Sequence, residues 1–170
     1  MLKTLKANGE NVQISYSKET LSWVVASKNV AMLVRDKNDI EKWQKGEMAG
    51  RYGFAAEMAH VWLDIVARMS DAHQKEIREE MNGRTLVGEY IGSQDHQHLV
   101  KYSRVTLIFY AVVDNYSEES CWPCSQAWSF FKKYSLDVVH IQSLGVFSNY
   151  GQLCDQLEKT FKDVAKSPIA

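Results

Sequence analysis

Near the start of the chain, Lys6-Ala7-Asn8-Gly9-Glu10-Asn11 sets a lysine three residues before a glycine, just ahead of an alternating apolar run, Asn11 to Ser17 (NVQISYS). A free lysine has a pKa near ~10.4 and is a poor nucleophile at neutral pH, so a reacting Lys6 needs burial, neighbouring cations or a metal-polarised substrate. Gly9 lets the backbone approach a ligand closely, and Asn8 and Glu10 add polar groups at the lip of the following strand. The same residues also read as a solvated turn before an edge strand, with Asn-Gly supplying the turn conformation. Further along, Cys121-Trp122-Pro123-Cys124 has the C-x-x-C spacing that redox folds use to lower a thiol pKa, but it lies late in the chain rather than after an early strand. A structural zinc site would need Cys154 and a histidine to join that pair in space. Asp95-His96-Gln97-His98 places two histidines so that on a strand they share a face and can ligate a metal, whereas in a polar loop they do not. Lys132-Lys133, beside Phe130 and Phe131, read as ordinary surface lysines at a helix end or as contacts to a phosphate backbone.

The elements that must position these groups follow from periodicity. Asn11–Ser17 alternates, Trp23–Ala26 and Val30–Val34 are short β-rich runs, and Ser27-Lys28-Asn29 between them suits a tight turn. From Arg51 to about Met81, Phe54, Met58, Val61, Trp62, Ile65, Val66 and Met69 recur at helical spacing and predict one long amphipathic helix, with His60 beside its apolar stripe. Asn82-Gly83 marks its stop. Strands return at Thr85–Ile91 and Val105–Val113, the second apolar on both faces and so expected to be central. Ser125–Tyr134 predicts a helix, Leu136–Ile141 a strand, and Leu153, Leu157, Phe161 and Val164 a final helix. The order predicts an α+β domain.

A chain of 170 residues fits one domain and is long enough to bury a core. With 45% hydrophobic residues and a net charge of −1, bulk electrostatics point to neither a nucleic-acid nor a membrane partner, so any polyanion site must be a local patch. Three cysteines, two prolines, no leader-like segment and no apolar stretch of roughly 18 residues predict an intracellular protein, cytoplasmic or nuclear, with no membrane partner.

Four segments taken in order carry a resemblance: "KANGEN" (Lys6–Asn11), "SKN" (Ser27–Asn29), "LVGEYIG" (Leu86–Gly92) and "LIFYAVVD" (Leu107–Asp114). Their order resembles the motifs of the covalent nucleotidyltransferase superfamily, the ATP-dependent RNA and DNA ligases and mRNA capping enzymes. It is most similar to the RNA ligases of the bacteriophage and fungal tRNA-ligase kind. The segment "GEYIGSQDHQHLVKY" also looks like the stretch that follows the glutamate motif in those ligases.

The resemblance implies an adenylyltransferase fold of antiparallel sheets with a long flanking helix, over a chain that matches the front part of such a domain. It implies ATP with Mg2+ or Mn2+ as cofactors and RNA, or DNA, ends as partners. Lys6 would attack the α-phosphate and become lysyl-AMP, from which AMP passes to a 5'-phosphate end before strand joining. Gly9 would give the turn that presents the lysine, with Asn8, Glu10 and Asn11 beside the nucleotide. Lys28 would neutralise phosphate charge. Glu89 would accept hydrogen bonds from the ribose hydroxyls, as an acceptor-only carboxylate can. Phe109 or Tyr110 would stack on adenine, with Val112 a third position to consider, because side chains alternate along a strand. The further E-G-x-V and K-x-K motifs of these enzymes, which supply a metal-linked carboxylate and α-phosphate lysines, are absent between Val113 and Ala170. The alternative expectation is therefore a catalytically incomplete nucleotide-binding module or a fragment of such a ligase.

Overall fold

The computed structural model describes residues 2–45, 49–92, 102–118 and 120–166, so the Asp95–His98 group lies outside the described residues. The chain forms two compact units, Ala7–Val138 and a smaller one made of Met1–Lys6 with Val139–Ala170.

In the smaller unit, β1 (Leu2–Thr4) pairs antiparallel with the seventh strand of the chain, β7 (Ile141–Ser143), Lys3 opposite Gln142. The pairing runs one step further as the Leu5 N–H donates to the His140 carbonyl at 3.0 Å. The last helix of the chain, α5 (Tyr150–Lys166), is entered through Asn149, whose Oδ1 accepts from the Gln152 N–H at 3.0 Å. Gln152 Oε1 reaches back to the Ser148 N–H at 3.0 Å, a near-reciprocal cap that holds the first turn.

The larger unit is built on a five-stranded antiparallel sheet in the order β4-β3-β2-β5-β6. Its strands are β2 (Glu10–Ser17), β3 (Ser22–Ala26), β4 (Ala31–Val34), β5 (Arg84–Ile91) and β6 (Thr106–Asp114). The strand predictions at residues 11–17, 23–26, 30–34 and 85–91 thus hold within a residue or two, and Ser27–Val30 is the tight turn, closed by Ser27 N–H to the Val30 carbonyl at 2.9 Å. The 105–113 run is an edge strand of the sheet rather than a central one. Its apolar character on both faces has another cause. Its outer edge is covered by irregular chain, Phe109 N–H bonding the Asp137 carbonyl and Trp122 N–H the Val112 carbonyl, both at 2.9 Å.

One face of the sheet carries Val12, Ile14, Trp23, Val25, Met32, Val34, Leu86 and Leu107, all within 2% of full burial. Against it packs α2 (Gly53–Ala67), which presents Ala55, Ala56, Met58, Ala59, Trp62 and Val66 at helical spacing. Trp62 is the hub: its ring meets Trp23 at 5.0 Å and Phe109 at 6.1 Å, both edge-on. The single long helix expected from residue 51 to residue 81 is two, α2 and α3 (Asp71–Glu80). The break is local chemistry. The Ser70 hydroxyl accepts from the His73 N–H at 3.3 Å and caps a new helix, which an apolar periodicity carried through Met69 hides. Gly83, at φ +78°, ends the second helix as expected. α4 (Cys124–Lys133) lies where a helix was predicted and is tied to α3 by Lys133, whose ammonium contacts Glu76 at 2.7 Å and Glu80 at 2.6 Å. The strand predicted over 136–141 is divided between the units. Val138 makes an isolated parallel bridge to Phe109, and β7 begins only at Ile141.

A short helix, α1 (Lys37–Trp43), carries no apolar period to announce it. Asp36 caps it by accepting from the Asp39 N–H at 3.1 Å. Asp39 is in turn held by Arg35 Nε at 2.8 Å and Lys42 Nζ at 2.8 Å. Hydrogen bonds from Arg35 and then Lys42 keep the Asp39 carboxyl well below the usual carboxylate range. Its contribution to stability is therefore complete above the unfolded-state value near ~3.9 and lost as pH falls through the lower folded value. We expect Asp39→Asn to cost about 1–3 kcal/mol at neutral pH, the range for charge-assisted hydrogen bonds. Urea midpoints taken across pH should show the gap to wild type closing only below about pH 4.

Candidate nucleotide-binding face

The second face of the sheet carries Asn11 and Glu89, two polar residues of the ligase-like motifs. In the β2–β5 register Asn11 lies opposite Glu89 and Val12 opposite Gly88. Because side chains alternate, the burial of Val12 on the helix-covered face puts Asn11 and Glu89 on the other one. Gln13, next on this face, donates from Nε2 to Asn11 Oδ1 at 3.1 Å.

Tyr110 joins them through an irregularity. β5 and β6 pair as Val87 with Ala111 and then Gly88 with Phe109, which leaves Tyr110 as the extra residue of a β-bulge. Gly88 permits it. A Cβ there would stand 2.5 Å from the Ile108 carbonyl oxygen and 3.0 Å from the Phe109 ring, so only glycine lets β6 come this close. The bulged Tyr110 is 39% exposed. Burial, and then the Glu89 charge, push its phenol above the usual range, against a hydrogen bond with Asn11 that lowers it. Asn11, Glu89 and Tyr110 are thus one electrostatic neighbourhood on an open sheet face.

Phe109 is not part of it. It is fully buried, stacked on Phe131 at 5.9 Å and edge-on to Trp62, and offers no ring face to a ligand. Val112 is likewise fully buried. Of the three positions considered for stacking, Tyr110 alone is accessible.

Asn8 and Gly9 lead into β2. The Asn8 N–H donates to the Tyr102 hydroxyl at 2.8 Å, a tie the motifs do not announce. A Cβ on Gly9 would fall 2.2 Å from the Tyr90 carbonyl oxygen, so the close approach that glycine allows here is to β5 itself. Gly9→Ala should cost about 1–3 kcal/mol through forced displacement of the β2 entry, read as a lowered thermal midpoint. Glu10 pairs with Tyr90 and has the alternation of Val12, so the register sets it on the face opposite Asn11. Lys28 is exposed in the Ser27–Val30 turn. As Gln13 pairs with Ala26, that turn lies at the end of the sheet where Glu10 and Asn11 also lie. Lys6 belongs to the smaller unit, exposed just beyond β1.

Among the described residues no group of three or more histidine, cysteine, aspartate or glutamate side chains is placed to hold a metal ion. Cys121 and Cys124 are free and exposed, and Cys154 is free and half-buried. Among the described residues no helix is long and apolar enough to cross a membrane.

A mixed fold of helices and an antiparallel sheet of this kind also occurs in solved ATP-dependent RNA ligases. The chain is similar to the Naegleria gruberi RNA ligase with PPi, at 12% identity and a TM-score of 0.55 over 84% of this chain and 35% of that one. A lysine-to-alanine mutant of the Naegleria ligase with ATP and Mn matches at 12% identity and a TM-score of 0.56, over 91% of this chain and 39% of that one. An archaeal ATP-dependent RNA ligase matches at 12% identity and a TM-score of 0.55, over 96% of this chain and 36% of that one. The chain therefore spans a little over a third of the length of these ligases, 35% to 39%. No protein-family profile matches the sequence, nor does any curated protein.

Proposed function

We propose that the outer face of the five-stranded sheet binds the nucleoside of ATP and that Lys6 accepts AMP from it, as in an ATP-dependent RNA ligase. The observation that carries this reading is the meeting of Asn11, Glu89 and the bulged Tyr110 on one open face. Each has a distinct task. Tyr110 offers a ring face for adenine, a contact of about 1–3 kcal/mol per base. The Glu89 carboxylate accepts from the ribose hydroxyls, and Asn11 orients both neighbours while contributing an amide to the sugar. Lys28, Asn8 and the Gly9 backbone serve the phosphate side. A divalent cation would accompany the triphosphate and neutralise its charge. The acceptor of the AMP is the 5'-phosphate of an RNA end, or of a DNA end.

The adenylylation step balances without a redox partner. The neutral Lys6 amine attacks the α-phosphorus, a P–N bond forms, the α–β bridging P–O bond breaks, pyrophosphate leaves, and the amine's surplus proton passes to solvent.

A second reading is a module that binds ATP and does not transfer it. Calorimetric titration with ATP and Mg2+ tests what both readings share. Glu89→Gln keeps the size of a half-exposed strand residue and removes the charge, so affinity should fall roughly tenfold or more. Equal affinity in the variant, or no ATP binding by the wild type, overturns the outer face as the nucleotide site.

A further inference from the structure

Beside Asn11 and Glu89 on the open face runs a second row of side chains, one pleat further along the strands: Gln13 between Ala26 of β3 and Val87 of β5, with Ala111 of β6 beyond. The alanines and the valine are half-buried, so the row is an apolar floor interrupted by one carboxamide. Gln13 does not simply extend into solvent. Its Nε2 donates along the strand to Asn11 Oδ1 at 3.1 Å, two residues away on the same face.

A carboxamide has one accepting end and one donating end of nearly the same shape, so its partners decide which way it points. With Asn11 Oδ1 taken by Gln13, the end left for a neighbour is the Nδ2 donor. Asn11 also hydrogen-bonds Tyr110, opposing the rise that burial and the Glu89 charge give the phenol. A donor from Asn11 makes the phenol oxygen the acceptor and turns the Tyr110 O–H away from Asn11. Without Gln13 the amide can turn over, accept the phenol proton instead and let the ring take a second orientation. Tyr110 is the extra residue of the bulge, so regular strand pairing does not fix its direction. The chain of bonds from Gln13 through Asn11 does.

We infer that Gln13 is a positioning residue of this face: it fixes which end of the Asn11 amide meets Tyr110, and through it the ring on which a base would stack. The inference rests on the outer face being the nucleotide site, as proposed above. Gln13 acts through Asn11 and need not touch the nucleotide. Its effect should therefore appear in how tightly ATP is held and vanish once Asn11 is gone.

Calorimetric titration of the full chain with ATP and Mg2+ reads the effect. Gln13→Met keeps the length of the side chain and removes its donor, at an exposed position. Its Kd for ATP should rise roughly three- to tenfold, the worth of one hydrogen bond. In an Asn11→Ala background the same substitution should change nothing. NMR of the free protein gives a readout that needs no ligand. Solvent exchange of the Asn11 Nδ2 protons, assigned by their loss in Asn11→Ala, should quicken both in Gln13→Met and in Tyr110→Phe. Equal ATP affinity in Gln13→Met beside a weakened Glu89→Gln overturns the role of Gln13 and leaves the nucleotide face standing. The same loss with and without Asn11, or unchanged amide exchange, overturns it as well. A wild type that binds no ATP overturns the nucleotide face itself, and this role with it.

Discussion

Incubated with ATP labelled at the α-phosphate and with magnesium or manganese, the protein should take up acid-labile label, and Lys6→Ala should take up none. The expected effect is complete loss because no other group substitutes for a nucleophile whose nitrogen becomes part of the intermediate. Lys6→Arg should be equally inert, since a guanidinium keeps its proton and cannot present a free lone pair. Glu89→Gln, by contrast, should label slowly at low ATP and recover as ATP rises, because it weakens binding and leaves the nucleophile in place. These outcomes separate the readings. A wild type that binds ATP reversibly but takes up no label is the non-transferring module. Label that survives Lys6→Ala places the nucleophile elsewhere.

The largest effect on stability should come from Trp62→Ala. The side chain is fully buried, and its ring bridges Trp23 on one side and Phe109 on the other, joining α2 to both halves of the sheet. Truncating such a residue removes its transfer free energy and leaves a cavity, about 3–5 kcal/mol together. Against a typical total of about 5–15 kcal/mol, that is enough to unfold a marginal domain. Trp62→Phe should cost far less. The indole N–H has no acceptor among the described residues, so phenylalanine relieves an unpaired buried donor while giving up part of the ring. Chemical denaturation midpoints of the two variants check the order, and equal losses would mean that the ring's size, not its burial, governs this contact.

Much of the larger unit was legible because its signals are local. Alternation marks β2 through β5, since one face of each is buried and the next residue must point away. Asn82-Gly83 marks a helix end because a left-handed backbone needs glycine. The misread elements have non-local causes or competing local ones. The break at Ser70 is a one-residue cap inside an unbroken apolar period. The edge position of β6 was hidden because irregular chain from residues 120–122 and 137–138 covers it and gives it a central strand's composition.

The site divides the same way. Residue types and their order in the chain, lysine, glycine, glutamate and aromatic, are properties of the sequence, and they set which chemistry the chain can attempt. Which aromatic faces outward is not. Phe109 and Tyr110 are neighbours with similar side chains, and simple alternation counts correctly only while pairing is regular. The bulge at Tyr110 resets that count, and Gly88 on the facing strand admits it, since a Cβ there would strike the Ile108 carbonyl of β6. Local patterns in the chain were enough for β2 through β5, the turn glycines and the candidate chemistry, because each depends on residues close in sequence. Tertiary structure alone made Phe109 core and set Asn11, Glu89 and Tyr110 on one face, because those outcomes depend on what a distant strand or helix leaves room for.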